Sequence, residues 1–189
     1  MENNFLVYSN KLFNSLKTVD YYKISLLEKK LFDCWLSKNQ LFFCGNGGSA
    51  GNANHLANDF IYGVAKKIGY GFKVHSLSSN QSVITCLAND CGYDNIYSAQ
   101  ISSLGNKNDI LICLSGSGNS TNILKAIEEA KKNDLFVVGI FGYDGGLAKN
   151  LVDLDIHINI HDMQISEDFQ LIIFHYLMQT LYSKIKNHV

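Results

Sequence analysis

Apolar residues recur at helical spacing through residues 5–38, at Leu12, Leu16, Ile24, Leu27, Leu31 and Trp35. One stripe per turn is the mark of helices that bury a single face. A break near residues 18–20, where Thr18 or Asp20 can cap, divides this stretch into two helices. Beyond it the pattern changes. Residues 40–44 form a short apolar run, and residues 72–77 alternate. DILICL (109–114) and LFVVGIF (135–141) are almost continuously apolar, and residues 154–160 close the series. Continuous apolar strands are buried on both faces. Helical patterns fall between them, at 50–62, 79–87, 95–104 and 121–132, then a short one after 142–146 and a long one over 167–186. Strands alternating with helices predict an α/β fold in which a parallel sheet of five strands is covered on both faces, a three-layer αβα sandwich. No shift in composition marks a boundary, so 1–189 reads as one domain: helices over 1–38, then the core and terminal helix over 40–187.

Composition narrows the classes of function. The chain is 47% apolar and 17% charged, which suits a packed core, and its net charge is −1 from 16 basic and 17 acidic residues. That balance gives no basic face for nucleic acid or an acidic membrane, so any anion site must be local. No apolar run approaches the roughly 20 residues that cross a bilayer, and the opening MENNFLVYSNKLF lacks the pattern of a secretory signal. The expected location is the cytoplasm. Five cysteines without a CxxC fit neither a disulfide framework nor a structural zinc site, and Cys44 and Cys113 read as buried thiols. There is no proline, so glycine and asparagine mark the turns.

Two loops stand out. CGNGGSA (44–50) joins a strand to a helix, and its glycines let backbone N–H groups approach a ligand closely. It has neither the GxGxxG spacing of a dinucleotide site nor the Gly-Lys-Ser/Thr of a Walker loop. LSGSGNST (114–121) places Ser115, Ser117, Ser120 and Thr121 ahead of a helix. Hydroxyls and unpaired first-turn amides make a neutral phosphate cradle. Helix capping alone also explains serine there. Two such loops at the carboxyl edge of one parallel sheet, where ligands bind, favour the anion site.

Four further residues suggest chemistry. His55 and Asp59 stand at i, i+4 on the helix after the first loop, and share a face. Glu167 and His175 are eight residues apart on the terminal helix, about 80° apart around its axis. Two imidazoles and two carboxylates suit a divalent metal, zinc above others. Spacing alone leaves plainer readings open: His175 in an apolar run as a core histidine, Asp59 facing solvent, Glu167 complementing a helix dipole in a first turn.

GNGGSA followed by His55, then LANDCGYDNIY (87–97), LSGSGNS and GYDGG (142–146), taken in this order, resemble the sugar isomerase (SIS) family. Within it the pattern is most similar to the phosphoheptose isomerases, over residues 40–180. The resemblance implies a flavodoxin-like sandwich, a homotetramer with sites shared between subunits, and aldose–ketose isomerisation of a phosphorylated sugar, sedoheptulose 7-phosphate foremost. It implies that Ser115, Gly116, Ser117 and Ser120 hold the phosphate, while Asn46, Gly47, Gly48, Ser49, Asn89, Asp90 and Glu167 line the sugar. It further implies a metal, zinc, at His55, Asp59, Glu167 and His175, with Asp59 and His175 as the catalytic acid and base. The sequence departs from the family in five places. The run entering the last helix reads Gln164-Ile165-Ser166-Glu167-Asp168 where the family usually has Thr/Asp-x-Arg-Ile-Gln-Glu. Asp59 stands where the family has Glu, Glu167 where it has Gln, and Gly116 where threonine is common; an arginine after the first loop's helix is absent, with Lys66 and Lys67 the nearest cations. These leave two alternatives: another ketose phosphate as substrate, or a non-catalytic SIS module that binds a sugar phosphate or a partner, as one bacterial relative without the last-helix histidine does.

Overall fold

The strand periodicity settles which residues face which layer. In β1 (Gln40–Gly45), Leu41 and Phe43 enter one core and Phe42 and Cys44 the other. β3 (Ile110–Ser115) divides in the same way, with Ile110, Ile112 and Leu114 opposite Leu111 and Cys113. Both strands are therefore buried on each face, as their unbroken apolar runs predict. This computed structural model describes residues 3–66 and 69–189; Lys67 lies outside the described residues.

The first core packs α2 (Tyr21–Ser37), α3 (Gly48–Ile61) and α7 (Met163–His188) on the sheet; the second packs α5 (Ser98–Leu104) and α6 (Thr121–Lys132). With β2 (Lys73–Ser76), β4 (Phe136–Phe141) and β5 (Leu154–His157), the sheet has five parallel strands in the order β2-β1-β3-β4-β5. This is the flavodoxin-type order, whose ligand crevice lies where the winding reverses, between β1 and β3. The two Gly/Ser loops follow those two strands. Ahead of the sheet, α1 (Asn4–Leu16) lies over the start of α7, tied by Lys11 to Asp162 at 2.6 Å and by the Tyr8 hydroxyl to Asp168.

Several boundaries move, each for a local reason. Asp20, not Thr18, caps α2, accepting from the Tyr22 amide. α4 (Gln81–Cys91) runs past residue 87 and stops only at Gly92, whose φ of 84° suits a residue without Cβ. A 3-10 turn, Tyr93–Asn95, then precedes α5, and the short helix after GYDGG is the 3-10 turn Ala148–Asn150. α7 starts at Met163, because Asp162 caps it through the Ile165 amide. Glu167 consequently sits in the second turn of α7 rather than the first, away from the dipole-complementing position.

Candidate active site

The loop after β3 turns sharply onto α6. Ser115 accepts the Gly118 amide at 3.0 Å and Ser117 accepts the Asn119 amide at 3.3 Å, which folds the loop on its own hydroxyls. Gly118 has φ of 64°, and the carbonyl of Gly145 fills the space its Cβ would need, so only glycine fits there. The Gly116 carbonyl accepts the Gly142 amide and the Gly118 carbonyl accepts the Ala148 amide, so GYDGG braces the serine loop from behind. At the start of α6, Ser120 makes no side-chain capping bond. Capping therefore does not account for this serine. Its hydroxyl and the hydroxyl protons of Ser115 and Ser117 remain for a ligand at a helix N-terminus. Gly116 borders Met163, whose sulfur lies 2.7 Å from where a Cβ would stand.

Opposite this loop, α3 begins at Gly48 with no side-chain cap. The carboxylate of Glu167 fills the space that a Cβ on Gly48 would occupy. A buried polar staple sets α7 against α3: Asn52 donates to the Glu167 carbonyl at 3.0 Å and to Gln170 Oε1 at 2.9 Å, and Gln170 donates to Ser49 Oγ at 3.0 Å. Gln170 and Ser49 are 1% and 3% exposed, so this contact fixes the two helices without water. Further along the same helices, His55, Asp59 and His175 converge. Their ligand atoms lie within 4.8 Å of one another. The two Nε2 atoms face at 2.9 Å, and Asp59 Oδ2 stands 3.4 Å from His55 and 3.6 Å from His175. Asp59 Oδ1 is turned away toward Asn58. Glu167, expected with them, is not in this group; its place over Gly48 is nearer the glycine loop.

These three separations bracket the roughly 3.3 Å edge of a tetrahedron whose arms are about 2.0–2.1 Å. Two imidazole nitrogens pointed at each other cannot both carry hydrogen, so a proton or a cation must sit between them. The donor set is of the N/O type that zinc and related divalent ions take. The residues fit a metal.

At the mouth, Asn89 donates to Asp90 at 2.7 Å on the last turn of α4. Asp90 also accepts from the Cys86 thiol, and that hydrogen bond raises the thiol's pKa. Tyr93, just beyond, reaches over to Asn46 Oδ1 at 3.0 Å. A separate cleft of about 780 Å³ lies at the opposite, amino edge of the sheet, and is lined by Lys107, Asp134, Lys131 and Asp153. Four of its charges already pair, Lys131 with Asp153 at 2.6 Å and Lys107 with Asp134 at 3.2 Å.

A family model described as SIS domain matches residues 4–142. The chain belongs to the SIS-domain family. The phosphoheptose isomerase of Helicobacter pylori (strain P12) is 33% identical to it over 180 residues, covering 94% of this chain and 91% of that protein. That of Shewanella piezotolerans is 39% identical over 140 residues, covering 72% and 70%. Among solved structures, a phosphoheptose isomerase from Francisella tularensis superposes with a TM-score of 0.89 at 24% identity over 96% of both chains. The one from Neisseria gonorrhoeae gives 0.88 at 23% identity, over 95% of this chain and 96% of that one. At such identities the likeness shows the fold: this SIS chain carries the three-layer sandwich of those enzymes, with its five-stranded parallel sheet.

Sequence reading gave no role to Asn52, Gln170, Asn122, Tyr93 and Tyr97, which hydrogen-bond across the candidate site. None has a spacing that announces chemistry. Asn122 looks like an ordinary first-turn residue of α6, and Gln170 like a polar interruption in an apolar helix. Among the described residues no helix is long and apolar enough to cross a membrane.

Proposed function

We propose that this SIS chain, acting as one unit, is an aldose–ketose isomerase that interconverts sedoheptulose 7-phosphate and D-glycero-D-manno-heptose 7-phosphate. One observation carries the reading. At the switch point of the sheet a serine loop with hydroxyl protons to spare stands beside the glycine loop whose helix, α3, carries His55 and Asp59, and α7 brings His175 to that pair. Curated relatives that match 94% of its length are phosphoheptose isomerases, which supports the same reaction and substrate.

Ser115, Ser117 and Ser120 hold the phosphate, and its binding energy keeps the far end of the sugar in reach of the acid–base pair. Asn46, Gly47, Ser49, Asn89 and Asp90 line the sugar, with Glu167 beside Gly48. His55, Asp59 and His175 hold a divalent metal, zinc by their donor types, and when bound it supplies a Lewis acid for the carbonyl and neighbouring hydroxyl oxygens. Asp59 and His175 share the proton transfers between C1 and C2: one takes a proton from C1 of the ketose as the other protonates the C2 oxygen, and a proton then returns to C2 as the O1 hydroxyl gives up its own. The exposed apolar faces of α1 and α7, with Phe5, Phe13, Ile172 and Tyr176, support a homotetramer. Five free thiols support a reducing compartment, the cytoplasm.

A second reading keeps the reaction and changes the sugar. It is favoured by Gly116, where Met163 stands in space that a loop side chain would fill. An NMR turnover screen with seven-, six- and five-carbon ketose phosphates decides: the heptose phosphate should be converted fastest. Conversion of none of them, in protein shown by metal analysis to be loaded, would leave a sugar-phosphate-binding module instead.

A further inference from the structure

Asn46 opens the glycine loop after β1, and Asn122 stands in the first turn of α6, after the serine loop. Their side chains form a reciprocal amide pair: Asn46 Nδ2 donates to Asn122 Oδ1 at 2.8 Å, and Asn122 Nδ2 donates to Asn46 Oδ1 at 2.9 Å. Asn122 is 2% exposed. Turning one group alone would set carbonyl against carbonyl, so the two amides are coupled and can turn only together. Tyr93, donating to Asn46 Oδ1, selects between the two joint orientations.

The same Asn46 oxygen faces two tyrosines, Tyr93 at 3.0 Å and Tyr97 at 3.2 Å. An amide oxygen has two lone pairs, so three donors are one too many. Tyr97 resolves the conflict. Its hydroxyl also contacts the Gly45 carbonyl more closely, and lies beside Ser78, which itself donates to Gly45 at 3.0 Å. Burial raises the pKa of Tyr97, so it remains a donor. Its proton goes to Gly45, and Asn46 Oδ1 takes Asn122 from inside and Tyr93 from the mouth. Asn46 then has one amide hydrogen engaged by Asn122 and one without an acceptor among the described residues.

We propose that Asn122 is a positioning residue for the sugar end of the site. It holds the Asn46 amide with its oxygen turned toward the tyrosines and its second hydrogen left for a sugar oxygen. It acts through Asn46 and touches no substrate. Tyr93, 55% exposed, is the outer member of the same arrangement and shares the Asn46 oxygen with Asn122. The inference rests on the isomerase reading for the identity of the sugar, but the linkage itself is a property of the two loops.

The test uses the metal-loaded full chain, N122L as an apolar replacement of similar size, N122D as a second variant that keeps the acceptor and loses the donor, and Y93F. Loss of a buried hydrogen bond of this type corresponds to at least about a tenfold change in affinity. We expect KM for the heptose phosphate to rise by about that factor in N122L or N122D. Inhibition by inorganic phosphate, which reads the serine loop alone, should stay within about threefold, because α6 keeps its first-turn amides. The N122L/Y93F double variant should show less than the product of the single effects, since both act on one oxygen. A parallel loss of phosphate affinity, or unchanged KM in both Asn122 variants, overturns the proposal. If the parent turns over no ketose phosphate, the isomerase reading fails separately, and calorimetric affinities for sedoheptulose 7-phosphate and inorganic phosphate carry the same comparison. A parent that binds neither overturns both.

Discussion

Asp59 carries the sharpest consequence of a single side chain. It is one methylene shorter than the glutamate common in the family, yet its Oδ2 reaches both imidazoles because α3 and α7 are drawn together by the Asn52–Gln170–Ser49 staple. Asp59→Asn retains shape and loses the charge and, with it, the proposed base. Turnover of the heptose phosphate should fall by at least about 10²-fold, with the thermal midpoint of the metal-free protein unchanged within error. Near-parental kcat in a stopped assay would remove Asp59 from the chemistry. At this scale the site was half legible. Types and spacing bring the histidines and serines forward as candidates, although core packing and helix capping compete as readings until the structure sets His55 against His175. They do not pick out Asn122 or Gln170, since a buried amide's value lies in its partner, and partners 76 and 121 residues away leave no periodic trace.

Elements were more legible than residues, and for a reason that also explains the misses. Strands β1, β3 and β4 are buried on both faces, so hydrophobicity alone marks them. Helix ends depend instead on single caps. Asp162 starts α7 four residues before the expected 167, which moves Glu167 out of the first turn. That cap has a measurable signature. The hydrogen bond from Lys11, then that from the Ile165 amide, hold the Asp162 carboxyl below its ordinary value of 3.8. A depressed carboxylate contributes stability that is fully present above the unfolded value and is lost as pH falls through the folded one. Asp162→Asn can still cap but loses the ion pair, so at neutral pH it should cost less than about 1 kcal/mol. Urea midpoints of parent and variant should converge as pH drops below 3.8. A gap that persists in acid would show that the ion pair contributes nothing.

On the scale of the whole molecule, α1 has no buried residue, and Phe5 and Phe13 are 77% and 59% exposed. A helix attached to one chain through Lys11 and Tyr8, with its aromatic side uncovered, is suited to association with copies of the chain. Phe5→Ser with Phe13→Ser should lower the mass measured by light scattering, and monomeric parent protein would end the homotetramer reading.

The backbone contact between Gly118 and Gly145 has a kinetic corollary. Two neighbouring turns wedged together without side chains leave the serine loop, the proposed phosphate seat, no room to breathe. A phosphate should therefore meet it ready-made, with little ordering entropy to overcome on docking. On the proposed reading, any rearrangement during turnover belongs to the far rim, where exposed Tyr93 hangs over Asn46, and the sugar rather than its phosphate should set the pace of entry and exit.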